Sequence, residues 1–284
     1  MKIYIKPFLF FALTLLIISC EDVIDVDVPT AAPRLVVEAS LDWEKGTIGN
    51  NQIIKLSTST PYFDTTINNS VIGASVRVTN LDTNAEYIFV DQNNGTYTIS
   101  NFAPIVNNSY TLEVIYNGET YTANETLKSV PEITRVEQSL EGGFDEELLD
   151  VSIFWDDPED EENYYFVKFI EEGDLFTTLE DESDEFTNGN EMDEFFEKDG
   201  EDDDADHLQE FVPGDVVDIS LYGISERYYN YIQLLIEQYD SNGDPFSATP
   251  AEIRGNCINI SNTENYAFGY FRLSEYDTVN HTFQ

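Results

Sequence analysis

The sequence predicts a mainly β protein made of two sandwich-like domains with one helix, at about residues 224–238. Three observations predict it. Between Pro33 and Leu127, short runs rich in β-branched and aromatic residues alternate with clusters of Asn, Asp and Gly. A second set of such runs follows Lys128-Ser129-Val130-Pro131, which reads as a linker. Beyond the N-terminal segment, apolar residues recur at helical spacing only between Ser225 and Gln238.

The first domain is placed at 33–127. Its strands are expected around Leu35-Val36-Val37, Ile53-Ile54-Lys55-Leu56, Val76-Arg77-Val78, Tyr87-Ile88-Phe89-Val90 and Thr96-Tyr97-Thr98-Ile99. Tyr110–Tyr116 and Glu119–Ala123 flank Asn117-Gly118 and read as a hairpin, because a type I′ turn needs positive φ at both central residues. About seven strands in such a length fit a sandwich.

The second domain is placed at 132–284. Strands are expected at Val151–Trp155, Asn163–Val167 and Val216–Leu221, then at Ile253–Ile260 and Ala267–Leu273. Before the last two, Ile224, Tyr228, Tyr231, Ile232 and Leu235 mark one helix face, with Ser225 as the N-cap. An aromatic stripe of this kind is expected to be core. Asp240-Ser241-Asn242-Gly243-Asp244 is expected to end the helix in a turn, although it also looks like a fragment of a calcium loop.

The N-terminus carries a targeting pattern. Lys2 and Lys6 precede an apolar run from Phe8 to Ile18, and Ser19-Cys20 follows. This is the anatomy of a secretory signal, here residues 1–19. The run is too short to span a bilayer, which takes about 20 apolar residues. Ile17-Ile18-Ser19-Cys20 resembles the bacterial lipobox, which implies cleavage before Cys20 and lipid attached to it. Cys257 is then left alone and is expected to be a buried thiol. Residues 20–32 read as a tether, with Glu21, Asp22, Asp25 and Asp27 and no basic residue before Arg34. In Bacteroidota lipoproteins, acid just after the lipidated Cys resembles the signal for export to the outer face of the outer membrane.

The whole chain holds 56 acidic and 13 basic residues, a net charge of −43. Such a surface repels nucleic acid and anionic lipid and favours cations and basic partners. The charge is local: the 156–210 stretch holds 25 acidic residues against Lys168 and Lys198. Its densest part, about 180–206, is expected to be an acidic loop. Asp202, Asp204 and Asp206 alternate like calcium ligands, which suits an ion that takes six to eight oxygens. The EF-hand pattern fails, since Pro213 stands where a closing Glu belongs. A solvated loop is the competing reading. Phe186, Phe195, Phe196 and Phe211 interrupt the acid and would dock it onto the domain or anchor a partner.

Little in the sequence points to catalysis. His207 and His281 are the only histidines, one inside the acidic tract and one four residues from the end. No glycine-rich phosphate loop is present. No carboxylate pair stands out for hydrolysis, so the chain is expected not to be an enzyme, a surface hydrolase being the weakest alternative. Asp64-Thr65-Thr66 and Asp277-Thr278-Val279 match the short acceptor pattern for O-glycosylation in exported Bacteroidota proteins, at Thr65 and Thr278.

Several stretches carry family resemblances. Gly73–Val76, Gly95–Tyr97 and Tyr110–Leu112 resemble a prealbumin-like, or Ig-like, sandwich. Val151–Pro158 with Asn163–Val167 resembles the start of a fibronectin-like sandwich, where a strand carries a core Trp and a Tyr-rich strand returns. Cys20–Val26, Pro33–Glu38, Trp155-Asp156-Asp157-Pro158, Tyr164-Tyr165, Arg254-Gly255-Asn256 and Ala267–Phe271 occur in an order similar to that of Bacteroidota lipoproteins of the domain of unknown function numbered 4249. That resemblance implies a lipid-anchored accessory to a TonB-dependent receptor, by gene neighbourhood. It transfers no functional residue except Cys20. A calcium-stabilised surface or adhesion module is the alternative.

Overall fold

Alternating burial builds the N-terminal half. A computed structural model describes residues 32–61, 68–145, 147–175, 177–198, 210–240 and 252–284. In it, β1 (Leu35–Glu44), β2 (Gln52–Thr58), β3 (Ser75–Asn80), β4 (Glu86–Asp91), β5 (Thr96–Ile99), β6 (Ser109–Tyr116) and β7 (Glu119–Thr126) surround one core. Leu35, Val37, Ala39 and Leu41 of β1 point inward, as do Tyr110, Leu112 and Val114 of β6. This is the two-residue period of a half-buried strand. β4 pairs with both β5 and β3, which carries the sheet around the core. Asn117 and Gly118 have φ of 50° and 79°, so the hairpin turn is the expected type I′.

The second half is a sandwich of two sheets. β8 (Ile133–Ser139), β9 (Asp150–Asp156) and β12 (Glu191–Glu197) form one, in the order β12-β9-β8. β10 (Tyr164–Glu171), β11 (Thr178–Ser183), β13 (Val216–Ile224) and β15 (Phe268–Thr282) form the other, in the order β11-β10-β13-β15. Trp155 is fully buried between them, its ring centroid 5.3 Å from that of Tyr165. The core Trp and the Tyr-rich return strand therefore stand as the fibronectin-like reading expects.

Helix α1 (Glu226–Asp240) is capped by Ser225, whose Oγ accepts a hydrogen bond from Tyr228 N at 3.2 Å. Tyr228 and Ile232 pack on Phe166, Tyr222 and Tyr270 of the sheet below. The aromatic stripe is core, as its spacing predicts.

The C-terminal strands differ from expectation. Ile253–Ile260 yields only β14 (Ile258–Asn259), which pairs with β7. Ala267–Leu273 is the beginning of a strand of 15 residues, β15. The polar residues Arg272, Ser274 and Glu275 are all buried and interrupt the apolar run, which hid the continuation. β15 pairs parallel with β1 from Phe268 to Tyr276 and antiparallel with β13 from Tyr276 to Thr282. One twelve-stranded sheet thus runs through both sandwiches. Cys257, Ala267 and Phe271 belong to the first core, far in sequence from 33–127. The 128–131 segment is packed too: Val130 N donates to Glu275 Oε2, and a Cβ on Gly223 would meet Ser129 O at 1.8 Å.

The acidic loop at about 180–206 is corrected. Its first part ends β11 and its middle forms β12. Backbone pairing with β10 and β9 carries these segments, and β12 seats Met192 and Phe196 inward while Glu191 and Asp193 face water. Edge strands tolerate such charge and are protected by it from pairing with another chain. Residues 199–209 lie outside the described residues.

Candidate functional site

Three surfaces of the described residues carry unusual chemistry. The first is a cleft of about 720 Å³ where β11 and β12, the edges of the two facing sheets, approach each other. Glu180, Glu182, Glu194 and Glu197 line it together with Phe144 and Phe195. Burial, then the charges of Glu182 and Glu180, push Glu194 up to about 8. Burial also raises Glu182, which shares a hydrogen bond with Glu194. The pair therefore holds a proton at neutral pH. Among the described residues no three Asp, Glu, His or Cys side chains are placed to hold a metal ion.

The second is the face beneath α1. Arg272 is 2% exposed, and its Nη2 donates to both carboxylate oxygens of Asp42, at 2.6 and 2.8 Å. Its guanidinium carbon lies 5.0 Å from the Tyr222 ring centroid and 4.9 Å from that of Tyr228. Those aromatic faces supply cation–π stabilisation. Lys168 shares the Tyr222 ring at 4.6 Å and is pushed down to about 8, by burial first and then by the Arg272 charge. Burial raises Tyr222 and Tyr270 and pushes Tyr231 up to about 12. The arrangement ties β15 to β1 and serves as a seam between the two cores.

The third is an uncharged face on the first sandwich. Ile53, Ile88 and Val90 are 53%, 66% and 62% exposed around a depression of about 570 Å³. Asn51, Gln92, Thr98 and Asn101 complete it, with no charged residue in the lining. On a molecule this acidic, a neutral apolar surface favours protein contact.

The residues singled out from sequence scatter. Cys20, Thr65, Asp202, Asp204, Asp206 and His207 lie outside the described residues. Thr278 sits exposed on β15, its Oγ1 donating to Ile219 O at 2.9 Å. His281 stacks edge-on against Phe283 at 5.0 Å, faces Gln138 Oε1 and is pushed down by burial. Cys257 is buried, and burial pushes its thiol up to about 12, which makes it inert. Phe196 and Phe211 enter the second core, whereas Phe186 is exposed. The Glu182–Glu194 pair sat unmarked among many acids, and Asp42–Arg272 is separated by 230 residues, so neither had a local signal.

The model of the family described as "Domain of unknown function (DUF4249)" matches residues 21–279. Similar solved structures include a two fibronectin type-III domain segment from chicken tenascin, at 9% identity and a TM-score of 0.21, over 60% of this chain and 83% of that one. The FN1–FN3 domains of chicken CNTN1 are 13% identical with a TM-score of 0.26, over 69% and 62% of the two chains. A DUF4785 family protein from Legionella pneumophila is 12% identical with a TM-score of 0.25, over 68% and 52%. No curated protein matches the chain.

Proposed function

The chain belongs to the DUF4249 family, and on that premise we propose that it is an outer-membrane lipoprotein, facing the cell exterior, that acts as a non-catalytic accessory or binding component of a TonB-dependent uptake system. The observation that carries the reading is the junction at Cys20. The family match begins at Glu21, one residue past the lipobox cysteine, so the signal and anchor pattern abuts the family domain. The acidic tether supports export to the outer face. Loss of Lys2 and Lys6 on cleavage leaves 11 basic against 56 acidic residues, a surface that keeps away from anionic lipid and nucleic acid. The neutral face around Ile53, Ile88 and Val90 supports a protein partner.

The reading is tested in the native host with a C-terminally tagged chain. Expected outcomes are a lipid-modified Cys20 peptide by mass spectrometry, loss of membrane retention in Cys20→Ala, digestion of the chain by protease added to intact cells, and a TonB-dependent receptor recovered in mild detergent. An unlipidated, soluble wild-type chain overturns the anchor. A lipidated chain that brings down no receptor overturns the partnership alone.

A further inference from the structure

The two sandwiches treat their strand edges differently. In the second, β11 carries Glu180-Asp181-Glu182 and β12 carries Glu191, Asp193 and Glu197, and such charge keeps other chains from pairing. In the first, β4 is left open along half its length. It pairs with β3 from Glu86 to Phe89, but with β5 only at Val90 and Asp91. The open half has no Lys, no Pro and no bulge. Its one charged side chain, Glu86, is held by Arg77 at 2.7 Å. An apolar edge without those defences is a template for another strand.

The register locates the missing rung. Gln92 N donates to Thr96 O at 2.9 Å, and Val90 lies opposite Thr98. Hydrogen-bonded pairs recur at every second residue of an antiparallel ladder, so the next would join Ile88 to Ser100. That pair does not form. Ser100 O instead accepts from Asn50 Nδ2 at 3.0 Å, and Phe102 N donates to Asn50 O at 3.1 Å. These bonds draw the chain after Ile99 towards the start of β2. On its other side β4 uses its alternate residues. Asn80 N donates to Ala85 O at 2.9 Å, and Tyr87 and Phe89 continue that set against β3. The backbone N–H and C=O of Ile88 therefore have no strand partner among the described residues. They face the depression of about 570 Å³ that Ile88 and Ser100 both line. Ile53 lies opposite Thr98, and Thr98 opposite Val90, so one outward row of side chains floors it.

We propose that the open half of β4 is a docking edge for an extended segment of a partner protein, which adds as a strand beside Ile88 and packs aliphatic side chains on Ile53, Ile88 and Val90. In strand addition, main-chain hydrogen bonds give affinity and alternate side chains give selectivity. The lining holds no charged residue, so the segment is neutral where it docks. The chain as a whole holds 56 acidic and 13 basic residues. A partner with neutral or basic flanks is admitted to such a surface, and a second copy, equally acidic, is repelled. The proposal rests on the reading of this face as a protein contact and names the form the partner takes there.

The test uses the mature chain and a short synthetic peptide of alternating valine and threonine with a lysine at each end, at about 0.15 M NaCl to screen diffuse binding by the acidic surface. The amide signal of Ile88 is expected to shift saturably in NMR spectra, and its N–H to gain protection from hydrogen exchange. The same peptide N-methylated at alternate residues keeps its side chains but loses one hydrogen-bonding edge, and is expected to bind at least tenfold more weakly. Ile88→Lys gives this exposed position the charge that defends other edges. It is expected to abolish binding with the melting temperature unchanged, whereas Ile115→Lys, at an exposed aliphatic of β6 outside the depression, keeps it. No shift at Ile88 with millimolar peptide, equal binding of the N-methylated peptide, binding retained in Ile88→Lys, or binding lost in Ile115→Lys each overturn the proposal. So does a wild-type dimer that Ile88→Lys dissociates, since the edge then meets a second copy. In the native host, a receptor recovered equally with Ile88→Lys overturns the docking edge and leaves the accessory role standing. No receptor recovered with wild type, while the peptide still binds at Ile88, overturns the accessory role and leaves the edge.

Discussion

The two sandwiches share a strand but solve the problem of charge in opposite ways. Residues 33–127 hold ten acidic and four basic residues, and among the described ones Glu125 of β7 is the single buried charge. In the second sandwich carboxylates enter the structure itself: Asp150, Asp157 and Asp184 are buried, and Glu194 faces Glu182 across the cleft. The first sandwich is therefore held by apolar burial, which responds weakly to pH. The second depends also on the protonation of its carboxylates. The comparison predicts that conditions which leave the first core untouched will move the second.

The largest effect is expected at the seam that joins them. Asp42→Ala leaves the Arg272 guanidinium buried without its carboxylate, which costs about 3–5 kcal/mol at a fully buried pair. Asp42 is partly exposed, so the lower end of that range applies. Replacing both partners, Asp42→Leu with Arg272→Met, is expected to recover most of the loss, because apolar side chains of similar volume substitute for a buried ion pair. Urea unfolding followed by Trp fluorescence measures both. A double variant as unstable as Asp42→Ala would show that the seam needs its charge and not only its packing.

A smaller, pH-dependent effect separates the two halves. The folded Glu194 binds its proton up to about 8, above the usual carboxylate range. Its contribution to stability is complete below the unfolded value near 4.5 and is lost as pH rises through about 8. Lys168 has the opposite sign. It is depressed to about 8, so its contribution is present above its unfolded value near 10.5 and lost as pH falls through about 8. Glu194→Gln is expected to flatten the fall in stability between pH 5 and 8, and Lys168→Met the rise above pH 8. Unfolding curves at stepped pH check each slope, and an unchanged slope in either variant would remove that group from the account.

How much could be read from the chain follows the same division. The strands of the first sandwich, the Asn117-Gly118 turn and the Ser225-capped helix were legible because each rests on local periodicity or on a φ that only a few residue types accept. β11 and β12 were not, since a run such as Glu180-Asp181-Glu182 has no apolar alternation and its strand state comes from pairing with β10. The double role of β15 was hidden by Arg272, Ser274 and Glu275, polar residues buried only because β1 and the 128–131 segment lie against them. Of the candidate site residues, Thr278 is placed and is a strand residue with its hydroxyl engaged; the carboxylates that converge, Asp157 with Asp184 and Glu182 with Glu194, meet through strand pairing and loop packing that spacing does not encode.

The smallest effect tests whether α1 owes its place to its own signals or to the second sandwich. Ser225 Oγ satisfies Tyr228 N, and loss of such a cap costs about 1 kcal/mol. The helix also buries Tyr228 and Ile232 on Phe166, Tyr222 and Tyr270, and that contact orders its first turn whether or not the cap is present. Ser225→Ala is therefore expected to lower stability by about 1 kcal/mol or less, with helical circular dichroism retained to the unfolding midpoint. Tyr228→Ala should cost more, since it opens the lid over Arg272. If Ser225→Ala instead melts the helix ahead of the sheet, the helix is a locally held appendage, and the seam beneath it relies on Asp42 and Arg272 alone.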